Sequence, residues 1–204
     1  MSQGQGKSVK LNERIFAQAV DLEINRNVMD TINLMHHITP RATEWSGVIF
    51  YKINGSYADL ESLTLEVVDL VPMDIGTSTY TEAVWDFSKD ATFAEKFTYW
   101  VLEAEERGED PCEMGCIHTH HTMSAFFSGT DIDDLHENAE KTRAYLSLIV
   151  NYEMDFNKWV AKVAILAEEI TIGKVIKKNN IQTKRKTNLL GDWESIIDNS
   201  DTEE

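Results

Sequence analysis

The sequence predicts an α/β (α+β) fold in a single domain, with a mixed central sheet flanked by helices. Segments with helical periodicity alternate with β-branched segments, in the order helix, two or three strands, helix, strand, helix, strands. The chain has 204 residues, which suits one domain with extensions. Apolar residues make up 42% of the chain, which is enough for a hydrophobic core.

The first half of the chain predicts one helix and two strands. Apolar residues recur at helical spacing at Val28, Met29, Ile32 and Met35. Pro40 ends that helix. Residues 47–53 are β-branched and aromatic, and the pair Asn54-Gly55 predicts a tight turn after them. Apolar and polar residues alternate over 63–67, which predicts a half-buried strand that runs to Pro72.

The second half predicts two helices and three strands. Helical spacing indicates helices over 93–104, ending near Gly108, and over 131–144. Thr130 and Asp133 form a possible capping pair for the later helix. Short apolar runs predict strands over 114–118, 146–150 and 159–166.

Charge and composition exclude several classes of function. The chain carries 35 acidic and 19 basic residues, a net charge of -16, so phosphate backbones would repel it and we expect no nucleic-acid partner. No apolar stretch reaches the length of about 18 residues that spans a bilayer, and we expect no membrane association. Residues 1–10 lack a secretory signal, and Cys112 and Cys116 are too few for a disulfide framework. We therefore expect a cytoplasmic protein.

The chain divides into three predicted parts. Residues 1–27 form an N-terminal extension, residues 28–173 form the domain, and residues 174–204 form a charged C-terminal tail. Six basic residues and then six acidic residues cancel in the tail, so the whole net charge lies before it. Apolar residues over 189–197 have the spacing of a short amphipathic helix, which would dock on the domain or bind a partner.

The residues with the clearest chemistry lie in the segment 118–131. If His118 and His120 close a strand, its period of two places both imidazoles on one face. Two neutral imidazoles are suitable zinc ligands, and Asp131, at the start of a predicted helix, would add an anionic ligand. A fourth tetrahedral position would stay open for water, as in a catalytic zinc site. The alternative is a buried polar cluster that binds no metal.

The spacing H-x-H-x(7)-S-x-x-D from His118 to Asp131 matches the motif of the JAMM (MPN+) family of JAB-type zinc metalloproteases. Glu44, three residues before Gly47 and just ahead of a predicted strand, resembles the upstream Glu-x-x-Gly of that family. The chain thus resembles the family over about residues 28–166. It departs from it at His121, where many members have proline.

The resemblance implies a single MPN/JAMM-like domain with the layering of the cytidine deaminases and one zinc ion per chain. It implies that His118, His120 and Asp131 bind the zinc. Glu44 would take a proton from the zinc-bound water and later give it to the leaving amine, as general base and acid. Ser128 would donate a hydrogen bond to the oxyanion. Members of the family cleave isopeptide or peptide bonds, often at the C-terminus of ubiquitin or a ubiquitin-like carrier.

Several interpretations stay open at this point. Ser128 could instead cap a helix, and Glu44 could be a strand-edge carboxylate with Glu61 or Glu66 as the base. No histidine or cysteine follows His136, so the second zinc of some family members has no ligands here. The competing functions are a non-catalytic MPN-type scaffold and an amidohydrolase barrel, which usually needs about 250 residues. The oligomeric state is open.

Overall fold

A mixed β-sheet with helices on both faces forms the described part of the chain. The computed structural model describes residues 15–17, 21–56, 59–139, 142, 144–165 and 180–184. The strands are β1 (Ile15–Ala17), β2 (Asp21–Asn25), β3 (Trp45–Ser56), β4 (Asp59–Ile75), β5 (Glu113–Thr119), β6 (Ala144–Val150), β7 (Val160–Ile165) and β8 (Asn180–Lys184). The helices are α1 (Arg26–Ile38), α2 (Ala91–Arg107) and α3 (Gly129–Ala139), with a 3-10 turn at Phe156–Lys158.

The strand order across the sheet is β1-β7-β6-β5-β3-β4-β2-β8. The central strand β3 pairs antiparallel with both β4 and β5, whereas β5 and β6 run parallel. Six inner strands, from β7 to β2, carry the short outer strands β1 and β8 at their two edges. The mixed sheet with flanking helices confirms the predicted fold class.

The residues of β3 alternate between two cores, as the period of a strand requires. Ile49 and Tyr51 belong to the large core that includes the buried residues of α1. Val48 and Phe50 belong to a second core with Phe93 of α2. A third, smaller core forms under α3 around Leu135, and it shares Trp85 with the second core. Helix α1 therefore covers one face of the sheet, and α2 and α3 cover the other.

Two local predictions are wrong. The Asn54-Gly55 pair lies inside β3 at an irregularity of the β3–β4 register, and the chain reverses between Ser56 and Asp59. Gly55 has a φ of 105°, and a Cβ there would lie 2.3 Å from the carbonyl oxygen of Ser62, so only glycine fits. Helix α3 ends at Ala139 rather than 144, because Ala144 already pairs with Ile165 of β7.

The sheet extends beyond the predicted domain limits of 28 and 173. Strand β2 runs parallel to β4 and buries Leu22 and Ile24, although residues 1–27 were expected to be an extension. Strand β8, within the predicted tail, pairs with β2. The sheet therefore includes residues on both sides of the predicted limits, because pairing with distant strands recruits segments that look peripheral in sequence. The division into domain, extension and tail stays a prediction. The predicted tail helix over 189–197 lies outside the described residues.

The described helices are too short or too polar for a bilayer: none combines the length and the apolar composition of a membrane span.

Candidate metal centre

The end of β5 places two histidines on one side of the sheet. Ile117 packs in the core under α1, so His118 projects to the opposite face, where α3 lies. His120 follows the strand, and its backbone N–H donates to the carbonyl of Val150 at 2.9 Å, which continues the pairing with β6. The two imidazole centroids lie 5.1 Å apart. The sequence period therefore brings the two predicted ligands together.

Asp131 reaches the same place from the first turn of α3. The backbone N–H of Ser128 donates to Oδ2 of Asp131 at 2.7 Å, and the N–H of Asp131 donates to Oγ of Ser128 at 3.2 Å. This reciprocal pair is a capping box, and it replaces the predicted cap of Thr130 and Asp133. The helix N-terminus also favours a negative charge at this position. The second carboxylate oxygen, Oδ1, lies 3.3 Å from Nε2 of His118.

His118, His120 and Asp131 form a group that fits a divalent ion. One ligand atom from each lies within 4.8 Å of the other two. With bonds of about 2.1 Å, two ligands of a tetrahedral zinc ion lie about 3.4 Å apart. The spacing of His118 from Asp131 already matches this value. In addition, Nδ1 of His120 is buried and makes no hydrogen bond of normal geometry, so a ring nitrogen of this residue is open to an ion. The donor set fits zinc.

Burial keeps both imidazoles neutral. It lowers the pKa of His118 to about 4, against the opposing effect of the Asp131 charge. Burial also lowers the pKa of His120, again opposed by Asp131. A metal ligand must offer a free lone pair, so neutral rings at pH 7 are ready to bind without losing a proton.

Glu44 lies directly before β3, beside the ligand group. Its backbone N–H donates to the carbonyl of Thr77 at 2.7 Å, and its carbonyl accepts from the N–H of Gly76 at 3.0 Å. The residue is 7% exposed, and burial raises the pKa of its carboxyl group. His121 lowers this pKa and Asp131 raises it, so both residues lie near the carboxylate. A buried carboxyl group with a raised pKa is suited to accept a proton and give it back.

The alternative bases from the sequence lie far from this site. Glu66 of β4 pairs with Lys52, six residues along β3 from Ser46, which pairs with His118. At a rise of about 3.3 Å per residue, that separation is about 20 Å. Glu61 lies on β4 still closer to the chain reversal. Glu44 is therefore the predicted base that the fold brings to the ligands.

The loop after His120 has two further features. His121 has a φ of 39°, and its ring nitrogens lie 3.1 Å from the carbonyl of Ser78 and 3.1 Å from Oγ1 of Thr122. It connects this loop to the segment beside Glu44 and stands outside the ligand group. The ring of Phe126 is 51% exposed and lies 4.7 Å from the His120 ring.

Tyr152 is the residue at this site that the sequence did not reveal. Its backbone N–H donates to the carbonyl of His121 at 2.9 Å, and its hydroxyl group reaches the loop before Glu44. The contacts of the hydroxyl group join segments that are more than 100 residues apart, and no spacing within one segment encodes them.

These features define an α/β domain with a candidate metal site of two histidines and one aspartate. Residues 33–162 match the family model described as prokaryotic homologs of the JAB domain. The chain belongs to this family, a branch of the JAMM/MPN proteins, which typically are zinc metallo-isopeptidases.

Among solved structures, the chain is similar to the solution structure of a protein from Desulfitobacterium hafniense determined by a structural genomics consortium. The two share 14% identity, with a TM-score of 0.38, over 81% of this chain and 94% of that chain. None of the curated proteins compared with the chain matches it.

Proposed function

We propose that the protein is a zinc-dependent hydrolase that cleaves an isopeptide or peptide bond at the C-terminus of a ubiquitin-like or carrier protein. The observation that carries this proposal is the convergence of His118, His120 and Asp131 to within 4.8 Å, with the buried Glu44 beside them. Membership of the JAB family supports the same class of reaction.

Each residue has a role that follows from its position. His118, His120 and Asp131 would hold the ion, which when bound polarises the scissile carbonyl group and lowers the pKa of water to about 7. Glu44 accepts the proton of the attacking water and delivers it to the leaving amine. Its raised pKa brings the carboxyl group closer to neutral pH and so favours both transfers.

Ser128 is available for the oxyanion although it caps α3. The cap uses a lone pair of Oγ to accept the N–H of Asp131. A serine hydroxyl has one proton to donate and two lone pairs to accept with, so the proton stays available to a developing oxyanion. Capping and catalysis are thus compatible at this residue.

A groove of about 350 Å³ lies between the end of β4 and the segment that leads into α2, and it is the candidate place for a polypeptide substrate. Its lining combines apolar and mostly acidic side chains: Met73, Asp74, Tyr80, Glu82, Val84, Lys89 and Asp90. Thr81, from the same segment, donates to Oγ of Ser46 at 2.9 Å, and Ser46 pairs with His118. The charge of the groove suits a substrate segment with basic residues. Substrate identity and cellular location stay predictions.

The test has a metal arm and a substrate arm. We expect elemental analysis of the purified protein to give about one zinc per chain, and a chelator to remove hydrolysis of C-terminal conjugates of ubiquitin-like proteins. A Glu44→Gln protein, used as bait, should retain substrate without cutting it. Two zinc ions per chain would contradict the single site. A zinc-loaded protein that binds partners but cleaves none of them would favour the scaffold instead.

Ser128→Ala is expected to lower turnover by about 10²–10³, because it removes an oxyanion donor, with little change in KM. The lost cap should cost about 1 kcal/mol of folding stability. Steady-state kinetics and thermal unfolding measure the two effects separately. Ser128→Thr keeps a hydroxyl group and serves as the control. Unchanged turnover in the alanine variant would leave Ser128 with the capping role alone.

A further inference from the structure

Tyr152 lies between the two loops that carry the site. It follows β6, and its backbone N–H donates to the carbonyl of His121 at 2.9 Å, next to the ligand His120. Its side chain extends to the loop between α1 and β3. There the hydroxyl group lies 3.1 Å from the carbonyl oxygen of Pro40 and 3.3 Å from that of Thr39. One residue thus contacts both the loop after the histidines and the loop that leads into Glu44.

The loop between α1 and β3 leads directly into Glu44, whose backbone also bonds to Thr77 and Gly76. It closes a turn in which the N–H of Thr43 donates to the carbonyl of Pro40 at 2.9 Å. The Tyr152 hydroxyl group also lies 3.5 Å from the carbonyl oxygen of Thr43, the residue before Glu44. Three carbonyl groups of this loop therefore surround one hydroxyl group, and a shift of the loop would carry the Glu44 carboxylate with it.

The ring of Tyr152 is held by an uncharged aromatic cluster. It lies 4.7 Å from the ring of His36, which lies 5.9 Å from the ring of Trp45. Burial lowers the pKa of His36 to about 4, so the cluster is neutral at pH 7. Both ring nitrogens of His36 and Nε1 of Trp45 are buried without partners. Ring packing therefore fixes the direction in which the Tyr152 hydroxyl group points.

We propose that Tyr152 is a positioning residue that sets the place of Glu44 relative to the histidine ligands. The proposal rests on the hydrolase function above. Its hydroxyl group holds the loop before the base, and its backbone holds the loop after the ligands, so the two move as one unit. A displacement of about 1 Å between a catalytic group and its target can cost about 10²-fold in rate. Glu44 precedes β3 and the histidines lie at the end of β5, two strands that pair directly at Ser46 and His118, so Tyr152 adds a second link between the loops at these strand ends.

Tyr152→Phe isolates the side-chain half of this link. It removes the hydroxyl group and leaves both the ring and the backbone bond to His121. Tyr51→Phe is the matched control, because it removes a buried hydroxyl group that donates to the carbonyl of Ala144 at 2.8 Å, toward the far end of β3. The full chain is used for both variants. The measurements are zinc affinity by chelator competition, amide hydrogen exchange, kcat and KM.

For Tyr152→Phe we expect exchange at the amides of residues 41–44 to become about tenfold faster, the factor typical of one lost hydrogen bond. Zinc affinity should stay within about twofold, since the ligand loop keeps its bond. The value of kcat should fall at least about tenfold with KM unchanged. Tyr51→Phe should change none of these values, even if it lowers the melting temperature as much as Tyr152→Phe does.

Three results would overturn the proposal: unchanged exchange at residues 41–44, faster exchange with unchanged kcat, or a loss of zinc affinity as large as the loss of kcat. An equal loss of zinc affinity and kcat would mean that Tyr152 positions the metal ligands rather than Glu44. If the zinc-loaded parent protein cleaves no substrate, the proposed function fails instead. Exchange and zinc affinity then still decide whether the hydroxyl group holds the loop.

Discussion

Glu44→Gln is expected to lower turnover by about 10²–10⁴ while the protein keeps its zinc. Glutamine has nearly the shape of glutamate, so the buried side chain should still fit, but its amide cannot accept the proton of the attacking water. Removal of a carboxyl group whose pKa is raised by burial should also cost little folding stability. Steady-state kinetics and metal analysis on the same preparation measure turnover and zinc content.

The pH profile sharpens this test. Because burial raises the pKa of Glu44, the acid limb of kcat/KM should lie above the ordinary value for a glutamate, and the rate should rise with pH as the base loses its proton. In Glu44→Gln that limb should disappear. Glu66→Gln is the matched control, since Glu66 lies on β4 opposite Lys52, away from the ligands. Full activity in Glu44→Gln would eliminate Glu44 as the base.

Asp131→Asn is expected to weaken zinc binding by more than about 100-fold, beyond the usual cost of losing an outer-shell partner. The substitution removes the negative charge of the ligand set. The amide oxygen of asparagine can still accept the N–H of Ser128, so the start of α3 should remain folded. Chelator competition at pH 7 gives the affinity, and circular dichroism reports the fold.

A neighbouring variant separates the ligand role from a general loss of negative charge. Asp133→Asn changes an exposed carboxylate on the same helix, two residues further on. It should leave zinc affinity within about twofold, because screening weakens the effect of an exposed charge. Equal zinc affinity in Asp131→Asn and the parent protein would show that Asp131 is not a ligand.

The sequence predicted the parts of the site that depend on local periodicity. The strand period alone placed His118 and His120 on one face, and α1 followed from apolar spacing that ended at Pro40. A capping role for Ser128 was one of the predicted alternatives, but its reciprocal partner Asp131 was not predicted, because Thr130 and Asp133 also offered a plausible capping pair.

The sequence failed where distant contacts decide the structure. Strand β2 has only five residues, and its place next to β4 depends on pairing with residues 64–67. The Asn54-Gly55 pair is a strong local turn signal, but the β3–β4 pairing extends past it and uses Gly55 in an irregular part of the strand. Tyr152 was missed because its hydroxyl partners lie 109 to 113 residues earlier in the chain.

The Asp131 carboxylate contacts both the start of α3 and the ligand His118, and this bears on the order of folding and metal binding. One carboxylate oxygen of Asp131 accepts the backbone N–H of Ser128, and the other is directed toward His118. The N-terminus of α3 therefore stabilises the negative charge of Asp131 even without a bound ion. We therefore expect the domain to fold without the ion, and the ion to bind at a site that is already formed. Zinc supply would then govern activity without governing the amount of folded protein.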